Sequence, residues 1–142
     1  ALSSAASDVY KRQVILRPIP RDIPTGEDIS PASLSIETEH DHYPLSTTEV
    51  KITITNHSHY EYECGEKYSL AYYNKSKRQW ETLPTDPVVN DILWVFPPEH
   101  PSHQQTIKLY TSESPNHPGK YRIYKSFNRG TKVAYGEFEL LP

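Results

Sequence analysis

Short stretches of alternating hydrophobic and polar residues run through most of this chain. The clearest are residues 50–56, 105–110 and 120–127, in which apolar or aromatic side chains recur at alternate positions. This two-residue period predicts β-strands with one buried face. In the third stretch, the side chains on the core side are Tyr121, Ile123, Lys125 and Phe127. One face of that strand is therefore mostly apolar.

Turn residues separate these stretches at regular intervals. Further short strands are predicted at residues 33–37, 68–74, 79–83 and 133–141, with proline, glycine and asparagine between them. Residues 91–96 form a continuous apolar run that fits either a buried strand or a single turn. About seven or eight short antiparallel strands, with almost no helical periodicity, predict an all-β sandwich.

The start of the strand near residue 120 carries a more specific signal. Tyr121 follows Pro118 and Gly119 at the beginning of a predicted strand in the last part of the chain. This resembles the tyrosine corner of immunoglobulin-like sandwiches, in which the hydroxyl group bonds back to nearby backbone. We therefore expect structural roles for Tyr121, Pro118 and Gly119, and also for Trp80, which lies on a predicted strand.

Two N-terminal segments depart from the strand pattern. Residues 8–13 resemble the translation of a transposon mosaic end, so we interpret residues 1–13 as a sequence scar or a disordered tail. Residues 14–32 contain Pro18, Pro20, Pro24 and Pro31, which exclude a helix and predict a tether or an extra edge strand. The sandwich domain itself is predicted for residues 33–142.

Composition and charge exclude several kinds of partner. A length of 142 residues fits one domain. The net charge of -3, without any block of like charge, gives no electrostatic reason to bind nucleic acid or an anionic membrane. No apolar run approaches the roughly 20 residues that a transmembrane helix needs. The single cysteine, Cys64, excludes an internal disulfide bond.

A set of motifs spread along the chain occurs in a fixed order: Tyr43 to Thr48, Val50 to Asn56, Gly65 to Leu70, Trp80, Pro118 to Arg122 and Tyr135 to Phe138. Together they resemble a bacterial immunoglobulin-like domain family found in exported and surface proteins, and the resemblance covers Ser33 to Leu141. It implies an Ig-like sandwich that serves as an accessory module of a lipoprotein or another larger exported chain. The implied location is outside the cytoplasm, and the resemblance implies no catalytic residues.

The motifs of common enzyme mechanisms are absent from the sequence. There is no glycine-rich phosphate loop, no G-x-S-x-G nucleophile elbow, no H-E-x-x-H helix and no cysteine pair. Cys64 has His57 and His59 nearby in the sequence and is a candidate nucleophile. Because free cysteine is among the most buried residue types, we expect a structural role instead. We predict that the protein is not an enzyme and needs no cofactor.

Aromatic residues provide a candidate binding surface. Tyr72 and Tyr73 are neighbours on one predicted strand and point to opposite faces, so at least one of them looks outward. With Tyr62 and Trp94 they form our candidate surface for a protein or glycan partner. The alternative is cross-strand aromatic packing that stiffens the sheet.

The proline-guarded segment from Thr85 to Ser102 supports a second class of function. Small bacterial β-sandwiches include proteinase inhibitors that present a loop between strands, and this segment is long enough to do so. The sequence thus predicts a non-enzymatic module of an exported bacterial protein, acting as a spacer or a binding domain. The alternative is an inhibitor that presents this loop.

Two histidine pairs have the spacing of metal ligands, which generates a first testable prediction. His40 with His42, and His57 with His59, would each lie on one side of an extended backbone, but both pairs fall in predicted turns. We therefore predict no metal site, and the same melting curve with EDTA as with added zinc. A zinc-dependent rise of several degrees that disappears when His42→Ala and His57→Ala are combined would contradict this prediction.

Overall fold

Strands account for all regular secondary structure in the described part of the chain. The computed structural model describes residues 23–85, 92–99, 101–112 and 114–142, with the backbone of residues 19–20. The strands are β1 (Ile19–Pro20), β2 (Glu27–Asp28), β3 (Leu34–Thr38), β4 (His42–Pro44), β5 (Glu49–Asn56), β6 (Tyr62–Cys64), β7 (Ser69–Asn74), β8 (Gln79–Thr85), β9 (Trp94–Phe96), β10 (Ser102–Lys108), β11 (Gly119–Phe127) and β12 (Lys132–Leu141). The interpretation of residues 1–13 as a scar or tail lies outside the described residues.

The longer strands form two sheets that face each other. The large sheet has the order β1-β8-β7-β11-β12-β2, with β4 beside β12, and the small sheet has the order β10-β5-β3. A short antiparallel ribbon of β6 and β9 completes the fold. Seven of the described strands have five or more residues. The predicted all-β, immunoglobulin-like sandwich is confirmed.

The core lies between the two sheets and follows the alternation in the sequence. In the small sheet, Val50, Ile52 and Ile54 are at most 1% exposed. The large sheet contributes buried apolar side chains to the same cluster, among them Leu70, Ile123, Phe127, Phe138 and Leu140. Full burial of one such side chain stabilises the fold by roughly 1.5–3 kcal/mol. The sandwich is therefore held mainly by apolar contacts between sheets.

The N-terminal part of the described chain lies across the outer face of the large sheet. Ile23 packs against a small cluster of Ala71, Tyr124 and Val133. The short strands β1 and β2 pair with opposite edges of the sheet, at β8 and β12. Ile29 is only 9% exposed and belongs to the core, although it precedes the domain boundary expected at residue 33. This segment is therefore packed on the sandwich from Ile23 onward.

At Gly136, β12 of the large sheet closely approaches β3 of the small sheet. A Cβ atom at this position would lie 2.6 Å from the carbonyl oxygen of Ile36 in β3. Any side chain would push the strands apart, because that distance is well inside van der Waals contact. The glycine in the motif Tyr135 to Phe138 thus has a packing role.

The beginning of β11 has the geometry of a tyrosine corner. The Tyr121 hydroxyl group donates to the carbonyl oxygen of His117 over 2.9 Å and accepts from its amide nitrogen over 2.8 Å. Its ring stacks on Phe138, with 5.3 Å between centroids. Gly119 has a φ of +134°, which an L side chain rarely adopts, and it leaves room for the ring of Tyr72.

The corner generates a prediction about stability. Tyr121→Phe keeps the ring but removes the hydroxyl group that bonds the backbone N–H and C=O of His117, so it should lower the free energy of unfolding by on the order of 1 kcal/mol or somewhat more. Urea denaturation measures the change. The matched control is Tyr60→Phe, because the Tyr60 side chain is 72% exposed and should tolerate the change. Equal midpoints for the two variants would contradict a structural role of the hydroxyl group.

Candidate functional site

A buried lysine lies between the two sheets. Lys125 is on the core side of β11, as the alternation predicts, and its exposure is 0%. Its Nζ atom donates to the carbonyl oxygen of Gly65 over 2.7 Å and to Oε1 of Gln105 over 2.8 Å. Both acceptors belong to other parts of the fold, since Gly65 follows β6 and Gln105 lies on β10. The lysine therefore joins the large sheet to the small sheet and to the ribbon.

Further hydrogen bonds extend this contact into a polar core cluster of Glu66, Trp94, His103, Gln105 and Lys125. The Gln105 side-chain amide donates to the backbone oxygen of Glu66 over 2.8 Å. The Trp94 indole donates to the carboxylate of Glu66, also over 2.8 Å. The Trp94 ring stacks on His103 with 3.6 Å between centroids. The side chains of Glu66, Trp94, Gln105 and Lys125 thus all have hydrogen-bond partners within the protein.

Burial changes the ionisation of this cluster. It lowers the pKa of Lys125, although Cys64 and Glu66 act in the opposite direction. It also lowers the pKa of His103, which Glu66 raises and Lys125 lowers further. For Cys64, burial raises the pKa, while Lys125 lowers it. The low-dielectric surroundings therefore dominate over the nearby charges.

Cys64 is placed as a structural residue. Its side chain is 4% exposed and belongs to the hydrophobic core. The groups that act on its ionisation are Lys125 and Glu66, rather than the histidines that neighbour it in the sequence. Because the thiolate is the nucleophilic form, a buried thiol with a raised pKa is poorly suited to attack a substrate.

The outer face of the large sheet carries a second polar arrangement. We name it the arginine clamp, and it consists of Arg122, Trp80, Tyr124, Tyr135 and Glu137. The Arg122 guanidinium lies 4.1 Å from the ring centroids of both Trp80 and Tyr135. Its Nε donates to the Glu137 carboxylate over 2.9 Å, and its Nη1 donates to the Tyr124 hydroxyl group over 3.1 Å. Trp80, expected to be structural, therefore packs on the outer face of the sheet and not in the main core.

The structure does not bring the predicted binding aromatics together. Tyr62 is only 6% exposed and packs edge-on against Phe127, so it has almost no surface to offer a partner. Tyr72 packs against Tyr121 with 5.1 Å between centroids, and its hydroxyl group donates to the carbonyl oxygen of Pro118. Both side chains lie on the core side because their strands place alternate residues there.

The remaining two aromatics are partly accessible and lie apart. Tyr73 packs against Trp80 beside the arginine clamp, with 5.2 Å between ring centroids. Trp94 is half-buried in the polar core cluster. Of the pair Tyr72 and Tyr73, the outward residue is therefore Tyr73. The sequence reasoning missed Arg122, whose position between Trp80 and Tyr135 follows only from the register of β7, β8, β11 and β12.

The predicted inhibitor segment contains β9, so its middle is paired with β6. Residues 86–91 and residue 100 of this segment lie outside the described residues. Three apolar side chains here are strongly exposed: Ile92 at 46%, Leu93 at 56% and Val95 at 50%. The end of the apolar run, Trp94–Phe96, thus forms a strand in which Phe96 is buried and Val95 faces outward.

The histidines considered as metal ligands have other neighbours. His40 lies 3.8 Å from Glu39, His42 lies 3.8 Å from Glu139, and the His57 ring is within 2.8 Å of the Ser35 hydroxyl group. Within the described ranges, no group of three or more His, Cys, Asp or Glu residues is arranged to hold a metal ion. A surface groove between the ends of β5 and β10 has a volume of about 210 Å³. Sites for small ligands commonly have about 300 Å³ or more.

Two facing sheets and a tyrosine corner are features of an immunoglobulin-like domain. Residues 30–139 match the bacterial Ig-like domain family, and the chain belongs to that family. Its members are typically non-catalytic. No helix in the described residues is long and apolar enough to cross a membrane.

Other comparisons give only distant similarities. No curated protein matches the chain at a significant level. The alkylpurine DNA glycosylase AlkC of Pseudomonas fluorescens, solved with DNA containing an abasic site analog, is 12% identical, with a TM-score of 0.43 over 80% of this chain and 32% of that one. A β-glucosidase from Listeria innocua, in complex with gluconolactone, is 14% identical, with a TM-score of 0.35 over 77% and 16%. This chain thus spans at most about a third of either protein, and neither similarity bears on its function.

The buried lysine generates a prediction about pH. Lys125 has a lower pKa in the folded protein than its unfolded value of about 10.4, so the unfolded chain binds its proton more tightly. Its contribution to stability should therefore increase as the pH rises from the folded pKa towards about 10.4. We expect the stability of the wild type, relative to Lys125→Met, to increase with pH between neutrality and this limit. Urea denaturation across this range measures it.

The control for this prediction is Lys51→Met, because Lys51 is exposed on β5. The stability difference between wild type and this control should not depend on pH in the same way. The raised pKa values of Cys64 and Tyr121 make the folded state less stable at high pH, but both groups remain in both variants. A pH-independent difference for Lys125→Met would contradict a lowered lysine pKa.

Proposed function

We propose that this chain is a non-enzymatic Ig-like module of an exported bacterial protein, serving as a spacer or as a protein- or glycan-binding domain. The observation that carries the proposal is the position of Lys125. This side chain has the chemistry of a catalytic residue, yet it is 0% exposed and both of its hydrogen bonds end on groups of the fold. Its task is thus to connect sheets.

Family membership supports the export part of the proposal. Bacterial Ig-like domains commonly occur in surface or exported proteins. The sequence of the gene upstream of Ala1 tests it, because a signal peptide or a lipobox cysteine would be encoded there. An upstream region that encodes a cytoplasmic protein would overturn the proposed location.

The arginine clamp is one part of the described surface with the composition of a binding site. It combines Trp, Tyr and Arg, the residue types that contribute most to protein interfaces. The guanidinium of Arg122 already occupies the ring faces that Trp80 and Tyr135 turn towards it, so a sugar ring cannot stack between them. A protein partner that covers the outer edges of these rings and Tyr73 fits this face better than a glycan.

The inhibitor function remains the second candidate, and the exposed apolar side chains of its segment favour it. Ile92 and Leu93 precede β9 in the part of the segment that is not paired with β6. An apolar and exposed stretch of chain is what an inhibitor inserts into the cleft of a protease. The residues that follow, in β9, pair with β6 and so hold this end of the segment in place.

A titration separates the two candidates. A module should leave the activity of serine, cysteine and metalloproteases unchanged when it is added at an equimolar ratio, whereas an inhibitor removes activity in proportion to the amount added. We expect no loss for any of the three classes, measured with fluorogenic peptides. A stoichiometric loss of protease activity that Leu93→Gln abolishes would support the inhibitor function over the module function. Val50→Ala, which destabilises the core, serves as the control for effects of stability.

A further inference from the structure

An exposed apolar patch lies on the outward side of the β6–β9 ribbon. Leu93 and Val95 alternate with the inward residues Trp94 and Phe96 and are 56% and 50% exposed. Tyr60 lies beside the end of β9, because the Asn56 side chain donates to the backbone oxygens of both Tyr60 and Phe96. The Tyr60 side chain is 72% exposed. A strand face that points to solvent is normally polar. This patch therefore has the composition of a contact surface.

Acidic residues accompany this patch. Glu63 stands directly opposite Val95 in the ribbon, and Glu61 and Glu99 are exposed at its end. Arg129 approaches Glu63 only to 4.0 Å, and its own side chain is 93% exposed. We name the patch and these three carboxylates the acidic ribbon.

The tip of the β7–β8 hairpin has the opposite charge. This turn contains three exposed basic residues, Lys75, Lys77 and Arg78. Only Lys77 has a carboxylate nearby, Glu81 at 3.6 Å, among the described residues. Lysine and arginine can lay their aliphatic stems on an apolar surface while their charged ends reach carboxylates at its rim. We name these three residues the basic hairpin.

The two surfaces lie at opposite ends of the sandwich. In β11, Tyr121 pairs with Tyr72 near the end of β7, so the basic hairpin lies beyond the Gly119 end. Asn128 follows the other end of β11 and exchanges hydrogen bonds of 2.9 and 3.0 Å with the backbone of Glu63 in the ribbon. The nine residues of β11 separate the two ends by roughly 30 Å.

We propose that copies of this chain associate end to end, the basic hairpin of one copy docking on the acidic ribbon of the next. The charges are complementary, and the lysine and arginine stems would cover Leu93 and Val95. The two surfaces are different and point away from each other, so the contact is head-to-tail and leaves a free surface on each terminal copy. This inference goes beyond the proposed function and does not depend on export.

Sedimentation velocity of the whole chain tests the proposal. We expect the average mass to rise with protein concentration, and to fall when salt screens the exposed charges. Lys75→Glu with Arg78→Asp should weaken association at least tenfold, and so should Glu61→Lys with Glu99→Lys. Aspartate is used at position 78 because Arg78 has a φ of 52°. Leu93→Gln with Val95→Thr should weaken association without changing the charge.

Mixing the two charge-reversed proteins is the decisive measurement. Each retains one intact surface, and the two reversed surfaces again carry opposite charges, so an equimolar mixture should associate more strongly than either protein alone. A control with Lys51→Glu and Glu37→Lys, both on the small sheet, should associate like the wild type. Circular dichroism melting curves show whether each variant is folded. A monomeric wild type at millimolar concentration, or association that the reversals leave unchanged, would overturn the proposal.

Discussion

The burial of one lysine side chain between two apolar sheets is the constraint on which much of this structure depends. A charged or neutral amine in a low-dielectric interior needs acceptors, and Lys125 takes one from the chain after β6 and one from β10. Those acceptors are held by further bonds, through which Gln105 reaches Glu66 and Glu66 reaches Trp94. The ribbon is thereby fixed against both sheets. Such a network specifies one arrangement of the strands, because any slip would leave a buried polar group without a partner.

The same region explains how the sandwich holds without a covalent link. Antibody domains place a cysteine two residues after the corner tyrosine, and this chain has Ile123 there. Ile123 is 0% exposed, in the same apolar cluster as Ile52 and Ile54 from the opposite sheet. Apolar packing therefore occupies the place of the disulfide. Apolar contacts are not directional, whereas the hydrogen bonds of the polar core cluster are. The cluster therefore fixes the relative positions of the strands more closely than apolar packing alone.

The distribution of reactive and aromatic groups has consequences for function. Cys64 and Lys125 are enclosed, and their shifted pKa values follow from burial, as expected of residues that serve the fold. Among the described residues, accessible charged and aromatic groups include those of the arginine clamp on the outer face, and of the acidic ribbon and the basic hairpin at the two ends.

The sequence by itself determined the fold class, the core-facing residues of β5 and β11, and the position of the corner tyrosine, because two-residue alternation and turn residues act locally along the chain. Even the inward side of Lys125 follows from this alternation. Tertiary structure alone decided that Gly65, Glu66 and Gln105 surround this lysine, that Tyr62 lies in the core, and that Arg122 lies between Trp80 and Tyr135. These contacts join residues far apart in sequence through the pairing and register of strands, and strand pairing is set by the packing of the whole sandwich.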